Sequence, residues 1–350
     1  MVNVLVLGVG GNVSQGIIKA LRRSKMDLCI IGACISPFSV GLYMCDEAYL
    51  SPYADDGCFI DWLIDLCNRR NVDIILTGVE EIIRKIAEHI NELRHRTHTV
   101  FVSPSHEQLI IGQDKFLTAQ WLKENKCNHP KYCILNDTTS VREFTKKVEF
   151  PFIAKPRFGK GSNGIHMIHN YIELKQIQNL DNYVLEEYIG DYNSEYTVGC
   201  YCDRNGNLAD MIIMHRLLSK GTTTWAEVVK NKKISREAKK ICMAFRPQGP
   251  LNIQMRLDKT GEPVCFELNV RFSGTTAIRA NFGFCDVEAM IREYVLEESV
   301  ESCFRIILGE VYRYDEELYL LGNATNEMKM KNEIVNMNKF HVLYRNLNCI

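Results

Sequence analysis

Four polar residues between Gly249 and Gly274 have the types and spacing of a divalent-cation site. Thr260-Gly261 is a turn signal, and a two-residue hairpin loop there fixes the pairing of the flanking strands. Because side chains alternate along a strand, this pairing puts four polar side chains on one face, with Gln254 opposite Glu267 and Asn252 opposite Asn269. Amide and carboxylate oxygens suit a hard cation, so the sequence predicts a Mg²⁺ site, with Mn²⁺ as an alternative ion. A polar sheet face wetted by solvent is the competing interpretation.

The opposite face of these two strands is predicted to belong to the core. Its residues are all apolar: Ile253, Met255, Leu257, Val264, Phe266, Leu268 and Val270. Arg271 follows the second strand, where it could contact a phosphate. A slip of one residue in the pairing would exchange the two faces, so the prediction depends on the assumed loop.

The stretch IAKPRFGKGSNGIHMI is predicted to be a hairpin with a glycine-rich tip. Backbone N–H groups of such a tip can approach phosphate oxygens closely, which makes five tip residues binding candidates: Gly159, Lys160, Gly161, Ser162 and Gly164. Lys155 ends the first strand and could supply a positive charge. The stretch is not a GxxxxGK[ST] loop, because Ala154 replaces the first glycine and Gly161 follows Lys160. A mobile surface hairpin with solvated lysines is the alternative.

Two further loops are weaker candidates. In VLEEYIGDYNSEYTV, carboxylates that could bind ribose hydroxyls stand near flat apolar residues that could line an adenine slot: Glu186, Glu187, Tyr188, Ile189 and Glu195. Taken alone, that stretch is more simply explained as a solvated turn. In GVGGNVSQG, Gly10 and Asn12 could contact substrate at a helix N-terminus, or form a tight turn without a ligand. Val13 stands where a dinucleotide fingerprint needs glycine, so no NAD is expected.

The order of predicted elements indicates an α/β protein whose second part is α+β. Strand-like runs and helical patterns alternate in residues 1–112, which predicts a parallel sheet. Hairpin signals dominate residues 113–305. Residues 306–350 have weak periodicity and are predicted to be a peripheral segment.

Composition excludes several classes of partner. The net charge of −1 gives no electrostatic reason to expect nucleic acid or an anionic membrane. No apolar run is long enough to span a bilayer, and the N-terminus lacks a signal-peptide pattern. The 14 cysteines are scattered without CxxC pairs, which favours reduced, buried thiols and a cytoplasmic location. A homo-oligomeric state is left open.

In order and spacing, these pieces resemble the ATP-grasp superfamily, particularly the ATP-grasp module of the carbamoyl phosphate synthetase large chain and related carboxylate–amine ligases. The resemblance covers about residues 1–299 and rests on Asp114-Lys115, PFIAKPRFGKGSNGI, VLEEYI and FELNVRFSG. It implies a Rossmann-like domain in residues 1–112, followed by an ATP-grasp fold in residues 113–305 whose lid subdomain spans about residues 138–190. Many members have Asp or Glu where Gln254 stands. Only one grasp module is present, so carbamoyl phosphate synthesis itself is not expected.

The resemblance also implies residue roles. Lys115 and Lys155 would contact ATP phosphates, with Gly159–Gly164 as the loop that folds over them. Glu187 and Ile189 would meet adenine and Glu195 the ribose. Three residues would hold Mg²⁺: Gln254, Glu267 and Asn269. Lys155 and Arg271 would stabilise the phosphoryl group during its transfer.

The implied activity is ATP-dependent ligation of a small-molecule carboxylate to an amine or similar nucleophile. The carboxylate would first be activated as an acyl phosphate, with release of ADP. Candidates for substrate contact are Gly10, Asn12, His215, Arg216, Asn252 and Arg279. For His215 a packed or solvated side chain is the alternative, and for Arg279 a structural role. Two other functions remain open, a small-molecule kinase using the same site and a non-catalytic nucleotide-binding protein.

Overall fold

The computed structural model describes residues 1–159, 161, 163–191 and 193–343. The predictions for Lys160 and Ser162 lie outside the described residues.

The N-terminal domain is a parallel sheet with helices on both faces, as predicted. Its elements are β1 (Val2–Leu7), α1 (Asn12–Arg23), β2 (Leu28–Cys34), β3 (Glu47–Leu50), α2 (Phe59–Arg69), β4 (Ile74–Thr77), α3 (Glu80–Glu88), α4 (Ile90–Arg96) and β5 (Val100–Phe101). The parallel strands lie in the order β3-β2-β1-β4-β5. Strand β1 reads as a nearly continuous apolar run because both of its faces are covered. The short strand β3 was not predicted from the sequence.

A smaller antiparallel sheet forms the lid. After α5 (His106–Gln113) and α6 (Lys115–Glu124) come β6 (Tyr132–Ile134), α7 (Thr138–Thr145), β7 (Phe152–Pro156), β8 (His166–Ile168), α8 (Tyr171–Ile177) and β9 (Tyr183–Glu187). The strands lie in the order β6-β9-β7-β8. Strands β7 and β8 pair antiparallel, which confirms the predicted hairpin around the glycine-rich tip.

A large antiparallel sheet faces the lid. It contains β10 (Glu195–Cys202), β11 (Leu208–Ser219), β12 (Thr222–Val228), β13 (Gly249–Leu257) and β14 (Pro263–Asn269), in the order β14-β13-β10-β11-β12. Helix α9 (Lys232–Phe245) covers one face, where Ile234, Ala238, Ile241 and Cys242 enter the core. Helices α10 (Thr276–Asn281) and α11 (Asp286–Tyr294) follow the last strand.

The predicted pairing of β13 with β14 is correct at its functional end and wrong at its turn. Gln254 pairs with Glu267 and Asn252 with Asn269, as predicted. The loop is longer than two residues, however, because Leu257 pairs with Pro263 and Asp258 caps the turn. An irregularity between Gln254 and Met255 restores the register. As a result Cys265 enters the core, whereas Phe266 faces the lid and not the core as predicted.

The C-terminal segment is not peripheral, in contrast to the prediction. It contains β15 (Gly309–Tyr312), β16 (Tyr319–Leu321), α12 (Ala324–Lys331), β17 (Glu333–Ile334) and β18 (His341–Leu343). Strand β15 extends the large sheet beside β12, and β17 pairs with β3 of the N-terminal sheet. Met328 and Ile334 are buried in a core cluster that contains residues of both the N-terminal domain and the large sheet. The weak periodicity arises because these elements are short.

The thirteen cysteines within the described residues are all free thiols, and most are buried. Burial raises the pKa of several, for example that of Cys285 to about 11. These observations agree with the predicted reduced thiols. No helix of the described residues is long and apolar enough to cross a membrane.

Helix α12 offers a matched test of C-terminal docking. Met328 is fully buried, whereas Met330 on the same helix is 85% exposed. We expect Met328→Ala to lower the free energy of unfolding by about 2–5 kcal/mol, because it leaves a cavity in the core. Met330→Ala should change it by less than about 0.5 kcal/mol. Urea unfolding followed by fluorescence and circular dichroism measures both. Equal, small losses would show that α12 does not belong to the cooperative core.

Candidate active site

A cavity of about 320 Å³ lies between the lid sheet and the large sheet. It collects residues that are far apart in the sequence. The predicted site residues that line it are Lys115, Lys155, Gly159, Gly161, Glu186, Glu187, Tyr188, Ile189, Glu195, Arg216, Gln254 and Glu267. The structure therefore brings together the predicted phosphate loop, the predicted adenosine bend and most of the predicted metal site.

A buried ion pair lies in the lid wall of the cavity. The Lys155 Nζ atom donates to Glu186 Oε2 at 2.7 Å, and both side chains are almost completely buried. The ammonium also lies 4.9 Å from the centre of the Phe266 ring. The carboxylate compensates for the desolvation of the lysine and fixes the position of its ammonium group at the cavity wall.

The glycine-rich tip folds back over the cavity. The backbone φ angles of Gly159, Gly161 and Gly164 are +130°, +71° and +71°, which residues with a Cβ atom rarely adopt. Lys115 Nζ donates to the Gly159 carbonyl at 3.1 Å. A Cβ atom added to Gly221, in the turn after β11, would lie 2.8 Å from the Gly161 backbone. The tip thus packs directly on the β11–β12 turn.

Glu187, the last residue of β9, and Tyr188, which follows it, line the cavity. The Glu187 backbone N–H donates to the Lys131 carbonyl at 2.9 Å. The Tyr188 ring lies 4.9 Å from the Arg256 guanidinium. Both contacts fix the strand end that the resemblance assigns to adenine.

Glu195 lines the cavity, but its carboxylate is already occupied. Its Oε1 atom accepts hydrogen bonds from Arg216 at 2.8 and 3.1 Å, and its Oε2 atom accepts one from Arg256 at 2.9 Å. Glu195 is only 6% exposed. This arrangement does not support the ribose contact implied for Glu195. It makes the residue an anchor for two guanidinium groups.

The predicted metal ligands are only partly assembled. Asn269 donates its amide to Glu267 Oε1 at 2.9 Å, which leaves the other Glu267 oxygen and the Asn269 carbonyl for an ion. Gln254 instead accepts a hydrogen bond from Arg216 at 2.8 Å through its side-chain oxygen. No group of three or more His, Cys, Asp or Glu among the described residues could hold a metal. Glu267 and Asn269 fit a Mg²⁺ ion that completes its shell with water and phosphate, and Gln254 fits less well.

Arg271 points away from the main cavity. Its guanidinium forms an ion pair with Glu80 at the start of α3, at 2.6 Å. Together with Asn269, these two residues line a small neighbouring space between the domains. The described structure therefore does not show the predicted contact of Arg271 with a phosphate in the main cavity.

Three further substrate candidates lie outside the cavity. Asn252 is 1% exposed and accepts a hydrogen bond from Thr197 at 2.9 Å. Arg279 is completely buried and pairs with Asp286 at 2.6 Å, which favours the structural alternative. His215 lies on the sheet face opposite Arg216, because neighbouring strand residues alternate, and it stacks on Tyr196.

Gly10 lies in the turn before α1 and Asn12 is the first residue of that helix, and both are exposed. The Asn12 side chain lies near Gly274, within 4 Å of where a Cβ of that glycine would stand. This turn therefore meets the loop after β14 at the boundary of the two domains.

Some cavity residues were missed by the sequence reasoning. Arg256 shares a face with Gln254, two residues earlier, and this alternation could have revealed it. Phe266 could be identified as a cavity residue only once the irregular pairing of β13 with β14 was known. Lys220 and Gly221 line the cavity from a turn that carried no motif.

Comparisons with known proteins confirm the fold and the predicted resemblance to the ATP-grasp superfamily. Residues 179–302 match the family described as ATP-grasp in the biosynthetic pathway with Ter operon. Residues 4–101 match the PylC-like N-terminal domain. The carbamoyl phosphate synthase large chain of Methanosarcina barkeri is 22% identical over 302 residues, which cover 78% of this chain. The chain spans only 28% of the length of that relative.

Solved structures agree with this fold. The N5-carboxyaminoimidazole synthetase from Staphylococcus aureus complexed with ADP has a TM-score of 0.67 at 16% identity, covering 85% of this chain and 78% of that one. The L-amino acid ligase from Bacillus licheniformis has a TM-score of 0.67 at 17% identity, covering 95% of this chain and 85% of that one. These likenesses extend over most of this chain and support the predicted mixed α/β fold.

The contact between the glycine tip and the β11–β12 turn can be tested by limited trypsin digestion. We expect Gly221→Ala to accelerate cleavage within residues 155–165 severalfold, because the added Cβ displaces the tip. Gly261→Ala is the control. Gly261 has a similar φ of +74°, but a Cβ atom added there would meet the flexible Lys233 side chain at 3.8 Å and no backbone atom. Equal cleavage rates in both variants would contradict the packed tip.

Proposed function

We propose that this ATP-grasp protein uses ATP and Mg²⁺ to activate a small-molecule carboxylate and to couple it to an amine or similar nucleophile. The observation that carries the proposal is the convergence in one cavity of Lys115, Lys155, the glycine-rich tip and Glu267. Cations and backbone N–H groups suit a triphosphate, and the carboxylate suits its metal ion. The related structures, a synthetase with ADP and an amino acid ligase, support the same class of chemistry.

The proposed reaction has two steps. An oxygen of the carboxylate attacks the γ-phosphorus of ATP, the bond to the β-phosphate oxygen breaks, and an acyl phosphate and ADP form. The amine then attacks the acyl carbon, phosphate leaves with the bonding electrons, and the amine gives up a proton. The protein mainly positions the reactants and stabilises charge, so no side-chain nucleophile is needed.

The two cavity lysines, Glu186 and the glycine-rich tip have proposed tasks in this reaction. Lys155 holds a positive charge against the phosphates while Glu186 fixes its position. Lys115 ties the glycine-rich tip to α6 and adds a second positive charge. The tip excludes water, which would otherwise hydrolyse the acyl phosphate.

Glu267 and Asn269 are the proposed holders of Mg²⁺. When bound, the ion neutralises negative charge on the phosphates. Arg271 stays a proposed contact of the transferring phosphoryl group, and it would have to share its guanidinium with Glu80. Gly10 and Asn12 stay proposed substrate contacts at the domain boundary.

A hydroxylamine trap tests the proposed function directly. The protein is mixed with Mg-ATP, hydroxylamine and pooled metabolite carboxylates, and hydroxamates are detected by mass spectrometry alongside ADP. A carboxylate-specific hydroxamate formed in step with ADP supports the proposal and identifies the carboxylate. ADP release with a stable phosphorylated product would favour a kinase, and nucleotide binding without turnover would favour a non-catalytic protein.

Removal of the Glu267 charge should abolish most of the Mg²⁺-dependent activity. With the carboxylate from the trap, we expect Glu267→Gln to lower ADP release on the order of 10²-fold at saturating Mg²⁺, because a main ligand loses its charge. Glu262→Gln is the control, since Glu262 lies in the same hairpin but outside the cavity. Unchanged turnover in Glu267→Gln would contradict the proposed metal site.

A further inference from the structure

Arg216 lies where the predicted metal site and the predicted ribose site meet. It is only 7% exposed and reaches from β11 across β10. Its Nη2 atom donates to Glu195 Oε1 and to Gln254 Oε1, both at 2.8 Å. The guanidinium therefore holds a residue of β10 and a residue of β13 in one fixed arrangement.

Two guanidinium groups share one carboxylate in this corner of the cavity. Arg216 and Arg256 both pair with Glu195, and the third partner, Gln254, is neutral. Glu195 compensates one of the two guanidinium charges, and Glu267, which lines the same cavity opposite Gln254, supplies the second carboxylate. An acidic residue at position 254 would add a further negative charge, whereas the glutamine adds none.

The same contact makes Gln254 a poor metal ligand. A Mg²⁺ ion bound to its side-chain oxygen at about 2.1 Å would lie within about 5 Å of the guanidinium nitrogen. The two cations would repel each other in a cavity that screens charge poorly. Glu267 and Asn269 are bonded to each other and make no hydrogen bond to Arg216 in the described structure. These two residues can therefore bind an ion without using Gln254.

The remaining N–H groups of Arg216 are suited to phosphate. The two N–H groups on Nη1 have no acceptor among the described residues, and Arg216 lines the cavity. Guanidinium groups bind phosphate oxygens with paired, charge-assisted hydrogen bonds. A nucleotide phosphate in the cavity would find these donors already held in place.

We propose that Arg216 replaces a metal contact at Gln254. Its guanidinium binds the nucleotide phosphates directly, and the site holds one divalent cation per nucleotide, on Glu267 and Asn269. This inference rests on the proposed function, because it assumes that the cavity binds ATP. It assigns Arg216 as a nucleotide-binding residue and Gln254 as the residue that orients it.

The first test counts metal ions and needs no variant. The protein is titrated with Mn²⁺ in the presence of a non-hydrolysable ATP analogue, and free Mn²⁺ is measured by electron paramagnetic resonance. We expect one tightly bound Mn²⁺ per bound nucleotide. Two would overturn the inference while leaving the proposed function intact. Failure of the protein to bind the analogue at all would overturn both.

The second test compares two arginine variants. Arg216→Met should lower the affinity for the ATP analogue by roughly 10- to 100-fold, as expected for lost charge-assisted hydrogen bonds. It should lower the affinity for AMP much less. Arg256→Met is the matched control, because it also removes a partner of Glu195 but does not contact Gln254. Arg256→Met should change the affinities for the analogue and for AMP by the same factor. Calorimetry measures all four affinities, and circular dichroism checks the fold.

The outcomes of the second test separate two roles for Arg216. Unchanged affinity for the analogue in Arg216→Met would overturn the inference. Equal losses for the analogue and AMP would also overturn it, because they would show that Arg216 only holds Glu195 in place. Partial recovery of analogue affinity in Arg216→Lys would support a charge acting on the phosphates.

Discussion

The pairing of β13 with β14 is the constraint on which the site depends. Side chains alternate along both strands, so a shift of one residue would turn Glu267 into the core and bring Leu268 to the cavity. The longer turn and the irregularity at Met255 offset each other, and the polar end of the hairpin keeps its register. The irregularity also brings Phe266 to the cavity, where its ring contacts both Lys155 and Arg256. The irregular strand pairing therefore places one aromatic ring in contact with two cations of the site, Lys155 and Arg256.

Charge compensation organises the rest of the cavity. Glu186 neutralises Lys155 within the lid, and Glu195 serves two arginines on the large sheet. Each carboxylate is nearly buried, and its loss would leave a cation without a partner in a poorly solvated place. The lid and the large sheet thus each hold a cation with a carboxylate of their own. Ring contacts across the cavity add to this, because Phe266 of the large sheet contacts Lys155 and Tyr188 contacts Arg256.

Much of the fold and part of the site could be predicted from the sequence. Alternation and turn signals are local properties, and they located the parallel sheet, the glycine-rich hairpin and the pairing of Gln254 with Glu267. The partners of Glu195 could not be predicted, since Arg216 and Arg256 reach it from two different neighbouring strands. Arg271 pairs with Glu80, 191 residues away, and no local pattern carries that contact. The face of His215 follows from its pairing with Tyr196 on β10, which was not predicted from the sequence.

The C-terminal segment has a consequence for movement between the domains. The chain passes from the N-terminal domain to the ATP-grasp fold before α6, and it returns through β15 to β17, on the far edge of the first sheet. The two domains are thus joined by two covalent connections, as in a closed ring. One hydrophobic core cluster contains residues of both domains, such as Val6 and Met214, so the domains are packed together as well as connected twice. The second connection also keeps the domains at a high local concentration, so that separation brings little gain in entropy.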